Sequence, residues 1–181
     1  GFELVPTRKR IYPQRDYLAH VVGLTGAVTR EHIEDDPVAD EKLRKYLAGE
    51  TKGVSGMERT AEPILRGYRG LRQLHRDGHE INYVARVPGK DARLSIDAEL
   101  QRRIYNVLAR HVEQSDWPAG GAVVVISTSD QVVRGQPLAD GDVLALASYP
   151  SFDPNRWQDH YDRLRVDERR MPMLFRAVGG I

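Results

Sequence analysis

His75 and His79 stand four positions apart, a spacing that offers two imidazoles to one metal ion when both lie on a helix. Glu34-Asp35-Asp36 lines up three carboxylates of the kind that attract calcium, but without the further spaced oxygen ligands of a calcium loop. Asp97 and Glu58 are carboxylates at the starts of helical patterns, and His20 is a lone imidazole between Leu18 and Val21. Cysteine is absent, which removes thiolate nucleophiles, thiolate metal sites and disulfides together. Each candidate also has a plainer reading. His75 and His79 flank Asp77-Gly78, a tight-turn pair, so they are expected as cross-strand neighbours. Asp97 is expected to cap a helix, and Glu58 to close a capping box with Ser55. Asp36 is expected as a solvated cap, and His20 as a packed histidine that hydrogen-bonds across a module boundary.

The elements that must position these residues follow from spacing and punctuation. Asp36 ahead of Pro37 predicts a helix whose apolar side is Val38, Leu43, Tyr46 and Leu47, ended by Gly49. A second helix opens at Ser55, places Met57, Ala61, Ile64 and Leu65 on one face, kinks near Pro63 and stops at Gly67. Residues 68–87 alternate on both sides of Asp77-Gly78 and predict a β-hairpin; Pro88-Gly89 then marks a module boundary. Leu94-Ser95-Ile96 is expected as a short strand. Asp97 then starts a helix with Leu100, Ile104, Leu108 and Val112 inward, Glu99 in its first turn, and Trp117-Pro118 and Gly120-Gly121 past its end. Two apolar runs, 122–126 and 143–147, read as central strands separated by a polar loop. The second stops at Tyr149-Pro150, because proline cannot donate to a sheet ladder, and Asp153-Pro154-Asn155 fixes the turn that follows.

Bulk composition sets the outer bounds. The 181 residues are 40% hydrophobic, enough for a core, and carry 27 basic against 26 acidic side chains for a net charge of +1. Neither that balance nor any basic block points to nucleic acid. No apolar run is long enough to span a bilayer. The chain opens on Gly rather than Met and is read as a piece of something longer.

The order of the pieces resembles the class B penicillin-binding proteins. Leu94-Ser95-Ile96-Asp97 with Leu100-Gln101 is similar to the motif that opens their transpeptidase domain. Leu144, Ala145, Ser148 and Pro150 to Asn155 are similar to the "LAxxSxPSFDPN" strand exit, and Arg176-Ala177 to the end of an "NRA" segment, with Phe175 in place of Asn. In the first half, Arg10, Tyr12, Pro13, Ala19, His20, Gly23 and Gly26 match the pedestal motif "RxYP…AHxxGxxG". Gly53, Gly56, Glu58, Leu65, Gly67 and Gly70 match "GxxGxE…LxGxxG".

The resemblance implies an α+β chain. Residues 1–88 would be an extended pedestal, or dimerisation, domain. Residues 89–181 would open an incomplete mixed α/β transpeptidase domain of the serine β-lactamase-like kind. It implies a serine D,D-transpeptidase as the whole protein, cross-linking peptidoglycan stem peptides, acylated by β-lactams, and using no cofactor or metal. Such an enzyme needs S-x-x-K, S-x-N and K-T-G. No serine here has a lysine three positions on, none begins S-x-N, and no lysine is followed by Thr-Gly, so the chain by itself is expected to be inactive. The implied setting is extracytoplasmic, with a membrane anchor in the whole protein. The implied partners are a polytopic glycosyltransferase and other envelope proteins, met through the pedestal. An unfinished sheet in residues 89–181 would expose an apolar face or edge and favour self-association. The alternatives are a non-catalytic envelope scaffold, or a β-lactam sensor or resistance protein of the same fold.

Overall fold

A computed structural model describes residues 10–116, 119–133 and 135–179. A 3-10 turn, Arg15–Leu18, runs into α1 (Ala19–Val22), followed by β1 (Thr25–Ala27), α2 (Arg30–Glu34) and β2 (Thr51–Gly53). Next come α3 (Gly56–Thr60), α4 (Glu62–Leu65), β3 (Leu71–Leu74) and β4 (Glu80–Val84). The second half holds α5 (Ala98–Glu113), β5 (Gly121–Ile126), β6 (Gln131–Val133), β7 (Gln136–Leu138), β8 (Val143–Tyr149), α6 (Trp157–Val166) and α7 (Arg176–Gly179). These elements group into two units. One is Val22–Leu94; the other joins the chain up to Val21 with everything from Ser95 onward.

In the unit of residues 22–94, β1 and β2 pair antiparallel, Thr25 opposite Gly53. Gly53 can only be glycine here: a Cβ would sit 2.0 Å from the Glu58 carbonyl oxygen. Gly23 meets the same demand, with φ +82 and a Cβ position 1.9 Å from the Ser55 carbonyl oxygen. The helix expected after Asp36 does not form; residues 37–40 and 42–44 are successive turns. The Asp36 carboxylate accepts from the Val38 and Tyr46 backbone N–H groups and so winds this stretch around itself. The helix that does form, α2, carries a capping box of Thr29 and His32, in which His32 Nδ1 accepts from the Thr29 N–H. A histidine in place of the usual Glu or Gln hid that signal.

The Ser55–Glu58 box also fails. Ser55 precedes α3, but its hydroxyl accepts from the Leu24 N–H at 3.0 Å, and Glu58 is buried. Pro63 divides the expected helix in two and lies in the first turn of α4, where a missing N–H costs nothing. Ala61 is buried, whereas Ile64 faces solvent. The β3–β4 hairpin has the expected turn, with Gly78 at φ +90 and Gly78 N–H donating to the His75 carbonyl. Neither strand has a buried face: Ile81 and Tyr83 are 64% and 63% exposed. After Pro88 the chain stays with this unit, Lys90 N–H donating to the Ile64 carbonyl at 2.9 Å.

In the other unit, α5 packs on the antiparallel pair β5–β8. Asp97 caps the helix, its Oδ1 accepting from Glu99 and Leu100 N–H. The inward stripe is turned by about one position from the expected one: Gln101, Tyr105 and Val112 are buried, with Ile104 and Leu108 half-buried. Residues 94–96 are irregular rather than a strand; Ser95 Oγ donates to the Val143 carbonyl and Asp97 N–H to that of Leu144. The polar loop between the strands contains a hairpin of its own, β6–β7, which β-branched Val132 favours. On β5, Val124 and Ile126 are 45% and 51% exposed. The expected stop at Trp117-Pro118 lies outside the described residues. Among those described, no helix is long and apolar enough to cross a membrane.

Candidate functional site

The strand exit after β8 is where residues far apart in sequence meet. β8 ends at Tyr149, and the Tyr149–Pro150 peptide is cis. Asp153 Oδ1 accepts from the Asn155 N–H at 2.8 Å and from its side-chain amide at 2.9 Å, fixing the turn. The Asn155 amide in turn grips Tyr12 twice: its Oδ1 accepts from the Tyr12 N–H and its Nδ2 donates to the Tyr12 carbonyl, both at 2.8 Å. The amide thus mimics a strand partner for one residue. Tyr12 is buried by the arrangement, while Pro13 and Arg10 lie at the surface.

Four residues earlier on that exit, Ser151 Oγ donates to the Asp16 carbonyl at 2.8 Å and lies 3.3 Å from His20 Nδ1. His20 Nε2 lies 2.9 Å from the Pro172 carbonyl. A carbonyl can only accept, so Nε2 carries the proton. The ring stacks on Phe175, 5.4 Å between centroids, and meets Phe152 edge-on at 5.5 Å. Burial, and secondarily the charge of Arg176, pull the His20 pKa down to about 4 against the pull of its Pro172 bond, so the ring is neutral at pH 7. Arg176 donates to the carbonyls of Arg170 and Met171, and Ala177 N–H donates to Ser148 Oγ at 3.0 Å, holding α7 on the sheet.

A serine beside a histidine raises the question of nucleophilic catalysis. The geometry answers it: the Ser151 hydroxyl donates to a carbonyl, the histidine is half-buried, and its far nitrogen is bound to a carbonyl rather than to an orienting carboxylate. This cluster ties the N-terminal segment, the strand exit and the stretch at Pro172 together. Next to it lies a cavity of about 240 Å³, lined by Ser151, Asp153, His160, Arg163, Asp167 and Arg170 among others.

The unit of residues 22–94 has a different centre. Arg66 forms a two-pronged ion pair with Asp36, at 2.9 and 2.7 Å, and its guanidinium stacks 3.5 Å above the Tyr46 ring. The Tyr46 hydroxyl donates to Glu62, whose other oxygen accepts from the Gly53 N–H. The Arg66 guanidinium holds the Asp36 carboxyl well below the usual carboxylate range, and burial, then Glu62, push the Tyr46 hydroxyl up. Asp36, expected as a solvated cap, is instead buried at the middle of this network. Arg66, Tyr46 and Glu62 carried no signal as site residues, because each matters only through partners distant in sequence. Of the matched glycines of this unit, Gly26 lies within β1, Gly56 opens α3, Gly67 follows α4 and Gly70 precedes β3. His75 and His79 pair across the hairpin turn, and His75 Nδ1 lies 3.0 Å from Asp77. Among the described residues no three metal-ligating side chains gather.

What these two centres define is an α+β chain in which one unit is pinned by glycines and an ion-pair network and the other by a motif-built clasp at a strand exit. Residues 1–94 match the family model of the penicillin-binding protein dimerisation domain, more than half of the chain, and the chain belongs to that family. Among curated relatives, it is 30% identical to the peptidoglycan D,D-transpeptidase MrdA of Escherichia coli K12 over 191 aligned residues, covering 100% of this chain and 27% of that protein. Among solved structures, it resembles Pseudomonas aeruginosa PBP2 in complex with WCK 5153, with a TM-score of 0.64 and 28% identity over 94% of this chain and 31% of that one. It shares its fold with Helicobacter pylori PBP2, solved in a complex with MreC, at a TM-score of 0.62 and 21% identity over 92% of this chain and 28% of that one. The chain therefore spans little more than a quarter of the length of the curated relative it matches.

Proposed function

We propose that this chain is the pedestal and the opening part of the transpeptidase domain of an extracytoplasmic peptidoglycan D,D-transpeptidase. The observation that carries the reading is that the match to MrdA runs along the whole chain rather than over the pedestal alone. On this reading the dimerisation module covers residues 1–88, and residues from 89 onward begin the catalytic domain with the Asp97-capped helix and the β5–β8 sheet. The residues described supply support, not nucleophile: the clasp at Tyr12, Asp153, Asn155, His20 and Arg176 anchors the chain where it leaves β8. Stem peptides and β-lactams are substrates of the complete protein. A protein partner in the envelope, of the kind H. pylori PBP2 finds in MreC, is expected on the pedestal.

Labelling the complete gene product with a fluorescent penicillin tests the activity. The expected result is a covalent band that disappears when the serine of its S-x-x-K is replaced by alanine, and no band for residues 1–181 alone. A complete product that folds and carries S-x-x-K yet takes no label overturns the enzymatic reading in favour of a scaffold.

A further inference from the structure

The His20 site is wired against its own protonation state. Nε2–H is spent on the Pro172 carbonyl, and the Ser151 hydroxyl proton is spent on the Asp16 carbonyl. The bare Nδ1 of the neutral ring therefore faces a serine oxygen 3.3 Å away that has no proton left to offer. A proton on Nδ1 would complete the chain, Nδ1–H to Ser151 Oγ and Ser151 O–H to Asp16 O, without moving a heavy atom. What opposes that proton is burial and one facing charge, the Arg176 guanidinium. The other charged groups around the ring are Asp16, Asp153, Arg170 and, across the neighbouring cavity, His160, Arg163 and Asp167, the last accepting from the Arg170 N–H. Asp16 acts on the Tyr105 hydroxyl, Asp153 is held by Asn155, and Arg170 is paired with Glu113.

Arg176 has a task that its departure would undo. Its two carbonyl bonds hold residues 170 and 171, and Met171 sits at φ +38, a conformation that a residue with a side chain seldom keeps unaided. We infer that His20 and Arg176 form a proton-operated clasp: a proton on His20 completes the bonds to Ser151 and Asp16 and expels the Arg176 guanidinium, which releases the Met171 turn and loosens α7 from the sheet. The His20 ring itself stays in place; the element that moves is the one at the cation. By linkage the effect is reciprocal, so removing the Arg176 charge makes His20 easier to protonate.

The test is a titration of the intact chain from pH 7.5 to 3, reading the His20 ring nitrogens by NMR and amide exchange at residues 174–177. The expected result is a neutral ring protonated on Nε2 at pH 7.5, and exchange at residues 174–177 that rises about tenfold more than that of α5, in step with His20 protonation. Arg176→Gln should raise the His20 midpoint by about one pH unit and speed the same amides already at pH 7.5. Ser151→Ala should lower the midpoint, because the imidazolium loses its acceptor. Exchange at residues 174–177 that ignores His20 protonation in the unmodified chain overturns the clasp. So does a midpoint unmoved by Arg176→Gln, or one raised by Ser151→Ala, which would mean that Ser151 donates to the neutral ring.

Discussion

Both units place a polar side chain where a small protein usually puts a hydrophobic one, and they do it with opposite chemistry. Around α5 the largest fully buried side chain is that of Gln101, which is uncharged. Its amide nitrogen donates to the Tyr17 and Leu146 carbonyls and its oxygen accepts from Leu146 N–H, at 2.7, 3.0 and 2.7 Å, so the helix, β8 and the N-terminal segment share one amide. In residues 22–94 the same role falls to Asp36, a carboxylate paired with Arg66 and bonded to two backbone N–H groups. A neutral hub tolerates any pH and fails only in proportion to the bonds removed. An ionic hub depends on its partner, since either charge left alone in a buried site is far costlier than the pair is favourable.

That contrast predicts the largest effect. Asp36→Ala should cost about 3–5 kcal/mol, because it strands the Arg66 guanidinium and two backbone donors. Chemical denaturation followed by amide exchange should show residues 22–94 opening while α5 remains protected. The double variant Asp36→Leu with Arg66→Met should recover much of the loss. If Asp36→Ala behaves like a surface change, the network is incidental and the glycine contacts hold this unit. Gln101→Leu is the matching test for the neutral hub, with an expected loss of about 2–3 kcal/mol from a buried N–H and two carbonyls left unpaired. A Gln101→Leu variant as stable as the parent chain would mean that apolar packing of α5 on the sheet suffices without the shared amide.

Acid should separate the units in a definite order. His20 has a folded pKa lowered to about 4, below the ordinary histidine value, so its contribution is complete above about pH 6.5 and is lost as pH falls toward 4. Asp36 has a folded pKa below the ordinary carboxylate value of about 3.9, so its contribution persists to that pH and declines only beneath it. Between pH 7 and 5 the unit containing α5 should lose about 1–2 kcal/mol, while residues 22–94 are unchanged. Region-resolved amide exchange across that range checks the order. Simultaneous loss in both regions would show that the acid response does not originate at His20.

What was legible in the sequence was what is decided locally. Asp97 is read as a cap because its acceptor reaches only two and three residues ahead, and the Asp77-Gly78 hairpin because the turn supplies its own bonds. The strands around residues 122–126 and 143–147 announce themselves by continuous apolar runs. The misreadings share a cause: a polar side chain with a good local use was taken by a distant partner. Ser55 could have capped α3, and bonds Leu24 instead; Asp36 could have capped a helix, and is claimed by Arg66. Gln101 was noted only as part of a motif, because a polar residue on a helix gives no sign of facing inward. His20 was legible as a packed histidine, since its neighbours are apolar, but Pro172, more than a hundred positions away, was not.

The exposed hairpin supplies the smallest effect and the sharpest control. Arg72 and Glu80 form an ion pair at 2.9 Å across β3 and β4, nearly the separation of Arg66 and Asp36 at 2.7 Å. The side chains of the first pair are 66% and 44% exposed, those of the second 12% and 1%. If ion-pair distance set stability, the two would weigh alike. Water screens the first pair and leaves each charge solvated when the other is removed, so Arg72→Ala should change stability by about 0.5 kcal/mol or less, and less still at high salt. Measured by the same denaturation as Asp36→Ala, this variant isolates burial as the variable. A loss approaching that of Asp36→Ala would mean that the hairpin is shielded in solution, and that the exposed Ile81 and Tyr83 beside it are covered by another molecule.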